Sequence, residues 1–126
     1  GDTLCTDDVD YQAWRRTARS REWQAGFLAK SLPERRTLLQ ALREKSKEVV
    51  SAKPAEIMDV NQDAVREALR EHRLTRLVHG HTHRPCHERI QLAAGSAERW
   101  VLSDWDTGRG DALEISPSGD IRRIDR

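Results

Sequence analysis

The sequence of 126 residues predicts an α/β fold, and three features support this prediction. Residues 14–53 have a helical pattern, residues 61–72 form a further helix that leads into a short strand at 76–79, and the rest of the chain alternates short strands with turns. A helix that is followed directly by a strand is half of a βαβ unit. We therefore expect a mixed chain in which most helices precede most strands.

Helix-terminus signals organise the first half of the chain. Residues 1–13 form an acidic, loop-like stretch that turns into a helix towards its end. Within residues 14–53, Ser31 is a capping candidate and Pro33 suits a first helical turn. Pro54 ends the segment, because the residue before a proline is disfavoured in the α region.

The second half of the chain contains the predicted strands. Asn61 is a good N-cap for a helix that ends near His72. The expected strands are 76–79, 99–102, 112–115 and 121–124, and a turn at 117–120 makes the last two a hairpin. Two tryptophans of this half are expected in the core, Trp100 and Trp105.

The composition excludes several classes of protein. Charged residues make up 34% of the chain and hydrophobic residues 37%, so its core would be thin. A net charge of +1 gives no general attraction to nucleic acid. No apolar run reaches the roughly 20 residues that span a bilayer. Cys5 and Cys86 are far apart, which offers neither a disulfide framework nor a Cys-x-x-Cys motif.

A histidine-rich loop is the strongest functional signal in the sequence. His81 and His83 follow Gly80, which itself follows the predicted strand. In an extended loop, alternate residues point the same way, so both imidazoles could reach one small volume. Because neutral imidazole is the commonest metal-ligating side chain, this loop predicts a metal site that acts on phosphate esters.

Other interpretations of this loop stay open. Its histidines could be part of an ordinary polar surface, because short motifs are only hypotheses. A closed zinc site is conceivable with further ligands nearby in sequence, namely His72, His79, Cys86 and His87. We expect His79 to be a packed strand residue rather than a ligand.

A basic, amphipathic region precedes the histidine loop. Residues 15–47 contain ten Lys and Arg but three acidic residues, and several large apolar residues are interleaved with them: Trp14, Trp23, Phe27, Leu28 and Leu32. This pattern is typical of a helix that lies on an anionic membrane surface. A helical face whose aromatic residues pack inward explains it equally well.

Several motifs together resemble one family. Gly-His-Thr-His at 80–83 is similar to the C-terminal signature of the calcineurin-like metallophosphoesterases. A closer resemblance links the chain to the UDP-2,3-diacylglucosamine hydrolases of lipid A biosynthesis in Gram-negative bacteria. It rests on residues 1–8, 11–12, 46–48, 57–61, 79–85 and 102–105, which occur in family order. The resemblance covers nearly all of this chain but only about the C-terminal half of the family protein.

This resemblance implies a fold, an activity and a location. The fold is the C-terminal part of a four-layer αββα sandwich with an inserted helical lid. Residues 1–13 would be a core active-site loop, 14–53 the lid and 54–126 the rest of the core. Two Mn²⁺ ions would activate a water that attacks the α-phosphorus of UDP-2,3-diacylglucosamine. The protein would be peripheral on the cytoplasmic face of the inner membrane.

The resemblance also implies roles for individual residues. His81 would ligate one metal ion and contact the substrate phosphate, as a catalytic residue, and His83 would ligate the other ion. The positions of Asp8, Ser46 and Lys53 match family positions that bind the substrate. Each has an ordinary alternative: a helix N-cap for Asp8, a surface serine for Ser46 and a solvated lysine for Lys53. Val50 stands where a relative has a polar contact.

Two further functions remain possible: another metallophosphoesterase, or a non-catalytic basic module that docks on acidic lipid. The chain begins with Gly1 rather than Met, and it lacks the other metal-ligand motifs of the family. We therefore expect a fragment that is inactive and loosely folded without the N-terminal half of the same protein.

Overall fold

The chain forms a mixed α/β structure of two units. The computed structural model describes residues 1–54 and 56–125. One unit is Thr6–Met58, and the other combines Gly1–Cys5 with Asp59–Arg126. The helices are α1 (Val9–Ala18), α2 (Arg21–Leu28), α3 (Leu32–Ala52) and α4 (Gln62–Glu71). The strands are β1 (Arg76–His79), β2 (Cys86–Leu92), β3 (Gly95–Val101), β4 (Asp111–Ile115) and β5 (Ile121–Asp125).

The unit Thr6–Met58 contains α1, α2 and α3. Residues 14–53 are largely helical, as predicted, but two serine caps divide the segment into separate helices. The Ser20 hydroxyl accepts a hydrogen bond from the Trp23 amide at 3.2 Å, which starts α2. Ser31 and Glu34 form a capping box at the start of α3, with the Ser31 amide 2.8 Å from the Glu34 carboxylate. Each cap satisfies amide groups that a new helix leaves unpaired.

The end of α3 follows the rule for residues that precede proline. Lys53 has φ −88° and ψ 141°, an extended conformation, directly before Pro54. Pro33 lies in the first turn of the same helix, where its missing amide hydrogen has no cost. Both predictions about this helix are confirmed.

The other unit has its apolar core around α4. The Asn61 side chain accepts hydrogen bonds from the Asp63 and Ala64 amides, which confirms the predicted N-cap. The Asn61 amide donates to the Leu4 carbonyl at 2.9 Å and so ties the first residues of the chain to this helix. The core consists of Leu4, Cys5, Val60, Val65, Leu69, Ile90 and Ala97.

A three-stranded sheet carries the histidine loop. Its order is β1-β3-β2, with β1 parallel and β2 antiparallel to β3. The strand β2 was not predicted, because it contains few apolar residues among its polar and charged ones. The predicted strand 99–102 begins four residues after the start of β3 and extends one residue beyond its end. The predicted hairpin is confirmed as β4 paired with β5, with Ile115 opposite Ile121.

The two C-terminal tryptophans differ in burial. Trp100 is 8% exposed, as expected for a core residue, but Trp105 is 64% exposed, so its assignment to the core is wrong. The Trp105 indole N–H donates to the Asp111 carbonyl at 2.9 Å, and its ring lies against Gly110, where a Cβ would approach the ring to 2.9 Å. The ring is held by these local contacts at the surface.

Within the part of the chain that the structure describes, no helix combines the length and the apolar character that crossing a bilayer requires.

Candidate functional site

The histidine loop connects β1 to β2 and has an unusual backbone. His81 has a φ of 80° and His83 a φ of 54°, both in the left-handed region that non-glycine residues rarely adopt. Arg73 is the third non-glycine residue with a positive φ among the described residues. The prediction that this loop is extended is therefore wrong. Such strain is typical of functional sites, where the surrounding structure holds residues in sparsely populated conformations.

The donor groups of this loop suit a metal ion. Both His81 and His83 are exposed, so their imidazoles are accessible to a ligand. Between them, the Thr82 hydroxyl is buried and has no hydrogen-bond partner among the described residues. A buried hydroxyl without a partner is costly and calls for a bound group that supplies one. Imidazole nitrogen and hydroxyl oxygen are donor types found in divalent-metal sites, so the chemistry of these side chains is compatible with a metal ion.

A carboxylate lies beside His83. Asp104 Oδ2 is 3.8 Å from His83 Nδ1, and Asp104 Oδ1 is 2.5 Å from the Arg109 guanidinium. A histidine that binds a metal through one ring nitrogen commonly has its other nitrogen oriented by a carboxylate. Asp104 was not predicted to have a role, although an acidic residue three positions beyond the end of β3 was a usable signal.

An ion pair anchors the exit of the loop. Arg84 Nη1 is 3.2 Å from Asp59 Oδ2, and Asp59 lies just before the Asn61 cap of α4. The two side chains are 39% and 30% exposed, so the pair adds little free energy but connects the loop to the start of the helix.

His79 is a packed residue, as predicted, and not an accessible ligand. It is 6% exposed, and burial lowers the pKa of its ring although a hydrogen bond to Gly80 partly opposes this. His87 is stacked on Trp100 with ring centroids 3.7 Å apart. Across residues 1–54 and 56–125, no three His, Cys, Asp or Glu side chains meet as a set of metal ligands. The alternative of a closed zinc site therefore has no support in the described residues.

The helical unit contains a cavity of about 500 Å³ between α1 and α3. It is lined by Asp8, Asp10, Tyr11, Trp14, Leu42, Lys45, Ser46, Val49, Val50 and Lys53. The structure therefore brings together three residues that the resemblance implied as substrate contacts: Asp8, Ser46 and Lys53. Val50 also lines the cavity and adds to its apolar wall, at the position where a relative has a polar contact.

Asp8 and Lys53 form a partly buried ion pair in this cavity. Lys53 Nζ is 2.5 Å from Asp8 Oδ1, and their side chains are 17% and 12% exposed. Asp8 also accepts a hydrogen bond from the Tyr11 amide at 3.0 Å, so it is the N-cap of α1 as well. Burial raises the pKa of Asp8, but the hydrogen bonds from Lys53 and Tyr11 and the charge of Lys53 outweigh it and keep that pKa below its ordinary value.

This pair gives a pH-dependent contribution to stability. Because the folded state lowers the pKa of Asp8, the ionised carboxylate stabilises the fold above the ordinary pKa of 3.8, and this contribution is lost as the pH falls through the folded pKa. We expect Asp8→Asn to lower the free energy of unfolding at neutral pH, and the difference from the unmodified chain to shrink below pH 3.8. Urea unfolding at both pH values measures this. A difference that stayed constant would mean that ionised Asp8 is not stabilised by folding.

The basic region contains both packed and exposed apolar residues. The Trp23 ring packs edge-on against Trp14, with centroids 5.7 Å apart, and is stacked with Phe27 at 5.3 Å. Leu28 and Leu32, by contrast, are 61% and 66% exposed. The aromatic residues therefore hold α1 to α2, while the two leucines remain open to solvent.

Comparison with known proteins relates the whole chain to one group. No protein-family model matches it. It is 48% identical over 126 residues to a UDP-2,3-diacylglucosamine hydrolase of Bordetella pertussis. This match covers 100% of this chain and 47% of the relative. Enzymes of the same name from Aromatoleum aromaticum and Nitrosococcus oceani are 48% and 45% identical, over 83% and 94% of this chain.

These matches extend over only part of each relative. The chain spans about half the length of the curated relatives it matches, for instance 47% of the Bordetella pertussis protein and 43% of the Aromatoleum aromaticum protein. The match to the Bordetella pertussis protein spans the residues of both the helical cavity and the histidine loop. The chain is therefore a homologue of the UDP-2,3-diacylglucosamine hydrolases over about half of their length.

Proposed function

We propose that the polypeptide carrying this chain hydrolyses the pyrophosphate bond of UDP-2,3-diacylglucosamine. The products are UMP and 2,3-diacylglucosamine 1-phosphate. The observation that carries this proposal is the 48% identity along all 126 residues to a relative named UDP-2,3-diacylglucosamine hydrolase. The histidine loop supplies imidazoles that can bind metal ions. The cavity supplies polar groups for the sugar and apolar groups for its acyl chains.

The histidine loop provides metal ligands in this proposal. His81 and His83 hold two Mn²⁺ ions together with ligands from outside these 126 residues, in a four-layer αββα core. When bound, such a pair of ions polarises a phosphoryl oxygen and lowers the pKa of a bound water. His81 also contacts the phosphate, where an imidazole N–H donates to its oxygen.

The cavity of the helical unit binds the acylated sugar, and this unit acts as a lid. Lys53 supplies a positive charge for a phosphate, while Asp8 and Ser46 offer an acceptor and a hydroxyl for the sugar. The apolar residues of the wall, which include Trp14, Leu42 and Val49, suit acyl chains. A lipid chain removed from water gains about 0.8 kcal/mol for each buried methylene group.

An anionic membrane surface is the proposed partner of the basic region. Residues 15–47 contain ten cationic and three acidic residues, and Leu28 and Leu32 are exposed beside them. Cationic side chains favour anionic lipid, while exposed leucines can enter the acyl boundary. In this proposal the protein is peripheral on the cytoplasmic face of the inner membrane, where a lipid substrate is available.

Hydrolysis in water labelled with oxygen-18 tests the proposed reaction. With Mn²⁺ present, we expect the polypeptide to release UMP, and the label to appear in UMP because water attacks the α-phosphorus. Label in the lipid product instead would mean attack at the other phosphorus. Absence of hydrolysis, together with cleavage of simple phosphodiesters, would favour another metallophosphoesterase activity. Binding to anionic vesicles without any hydrolysis would favour a docking module.

A further inference from the structure

We propose that His79 and Arg99 are positioning residues for His81, acting through the Gly80 carbonyl. The pair does not contact the metal ion or the substrate. It fixes the peptide that joins Gly80 to His81 and so sets the direction of the His81 side chain. The inference rests on the proposed function in one respect, which is that His81 binds a metal ion.

Arg99 is a buried residue of β3 that contacts side chains of both neighbouring strands. It is 4% exposed, and each part of its guanidinium has a neighbour. Its Nε donates to Glu88 at 2.7 Å, its Nη1 lies 3.2 Å from His79 Nε2, and its Nη2 lies 3.7 Å from the Cys86 sulfur. A buried arginine with these contacts can orient its neighbours, because few other arrangements would satisfy its donors.

The neighbours of His79 determine its tautomer. Arginine has only donors, so His79 Nε2 must accept from Arg99 and carries no proton. The Gly80 carbonyl has only acceptor capacity, so His79 Nδ1, which lies 2.9 Å away, must donate its proton to that oxygen. The two hydrogen bonds therefore have one direction: Arg99 donates to the neutral ring of His79, and that ring donates to the Gly80 carbonyl.

This hydrogen bond acts where the backbone is strained. The residue after Gly80 is His81, with a φ of 80°, a conformation that is unfavourable for a non-glycine residue and persists only when its surroundings impose it. Gly1 encloses the same carbonyl from another side, since a Cβ at Gly1 would collide with the Gly80 oxygen and with His79 Nδ1. The carbonyl is thus held by a hydrogen bond on one side and by close packing on another.

Two substitutions of His79 separate positioning from simple packing. In His79→Asn, the side-chain amide nitrogen takes the place of Nδ1 and can still donate to the Gly80 carbonyl. In His79→Gln, the amide reaches the place of Nε2 and can contact Arg99, but the bond to Gly80 is lost. Both variants remove the aromatic ring, so a packing role would affect them alike. Manganese affinity, measured by calorimetry on the metal-free polypeptide, compares them.

We expect His79→Gln to bind Mn²⁺ at least about tenfold more weakly than His79→Asn, because loss of an orienting partner typically lowers metal affinity by this much or more. Equal affinities in the two variants would overturn the inference. If neither the unmodified polypeptide nor the variants bind Mn²⁺, the proposed function fails rather than the positioning role.

A second measurement needs no substitution. The nitrogen NMR signals of the His79 ring in the metal-free polypeptide report its tautomer directly. We expect a protonated Nδ1 and an unprotonated Nε2. A proton on Nε2 would contradict the inference, even if the variants do not fold.

Discussion

Replacing both His81 and His83 by alanine is expected to lower manganese-dependent hydrolysis by more than about 100-fold, the upper range for loss of a single orienting partner of a metal ligand. The physical reason is that imidazole donates a lone pair that alanine cannot replace. The loop would then hold no imidazole ligand for the metal ion. Turnover of UDP-2,3-diacylglucosamine and calorimetric binding of Mn²⁺ together measure the effect.

The matched control is His72→Ala. His72 is an exposed histidine at the C-cap of α4, and its backbone amide rather than its ring makes the cap. This variant removes one imidazole outside the loop, and we expect it to retain both activity and metal binding. If the double variant retains full turnover, the loop is not the metal site, and the polar-surface interpretation of its histidines is correct.

Replacing Arg123 by methionine should lower the free energy of unfolding by about 3–5 kcal/mol, the range for breaking a buried ion pair. Arg123 forms an ion pair with Asp111, and these side chains are 19% and 3% exposed. Arg123 Nη2 also donates to the Cys86 and Val101 carbonyls, at 3.0 and 2.8 Å, and so connects the hairpin to the sheet. The substitution would leave the carboxylate of Asp111 buried and without its cation.

Arg122→Met is the control for this experiment. Arg122 is the preceding residue of β5 and pairs with Glu114, but their side chains are 72% and 55% exposed. An exposed ion pair contributes about 0–1 kcal/mol, so we expect a small effect. Urea unfolding monitored by circular dichroism compares the two variants. Equal losses of stability would show that burial of the Asp111 pair is not what makes it important.

The helices were predictable because their signals are local. Asn61 caps α4 with its own side chain, and Pro33 and Pro54 act on their immediate neighbours. The β4–β5 hairpin was predictable for the same reason, since its turn is encoded within a few residues. By contrast, β2 was missed because its pairing with β3, rather than its own composition, makes it a strand.

The candidate site was predictable only in part. The motif at residues 80–83 indicated the histidine loop, and the resemblance indicated the three polar residues of the cavity. Asp104 and Arg99 were not found, because their importance depends on groups that are distant in sequence. The exposure of Trp105 was not predictable either, since it depends on a hydrogen bond to the Asp111 carbonyl.

The resemblance to the UDP-2,3-diacylglucosamine hydrolases, the caps of the helices and the two imidazoles of one loop are all readable from the residues alone. These depend on residue identity and on short-range backbone preferences, which can be read along the chain. Three features become visible only in the folded chain: His81 and His83 have left-handed backbones, His79 is buried against Arg99, and Asp8 contacts Lys53. Each of these depends on burial and on distances between residues far apart in the chain, and such distances are fixed only when the chain folds.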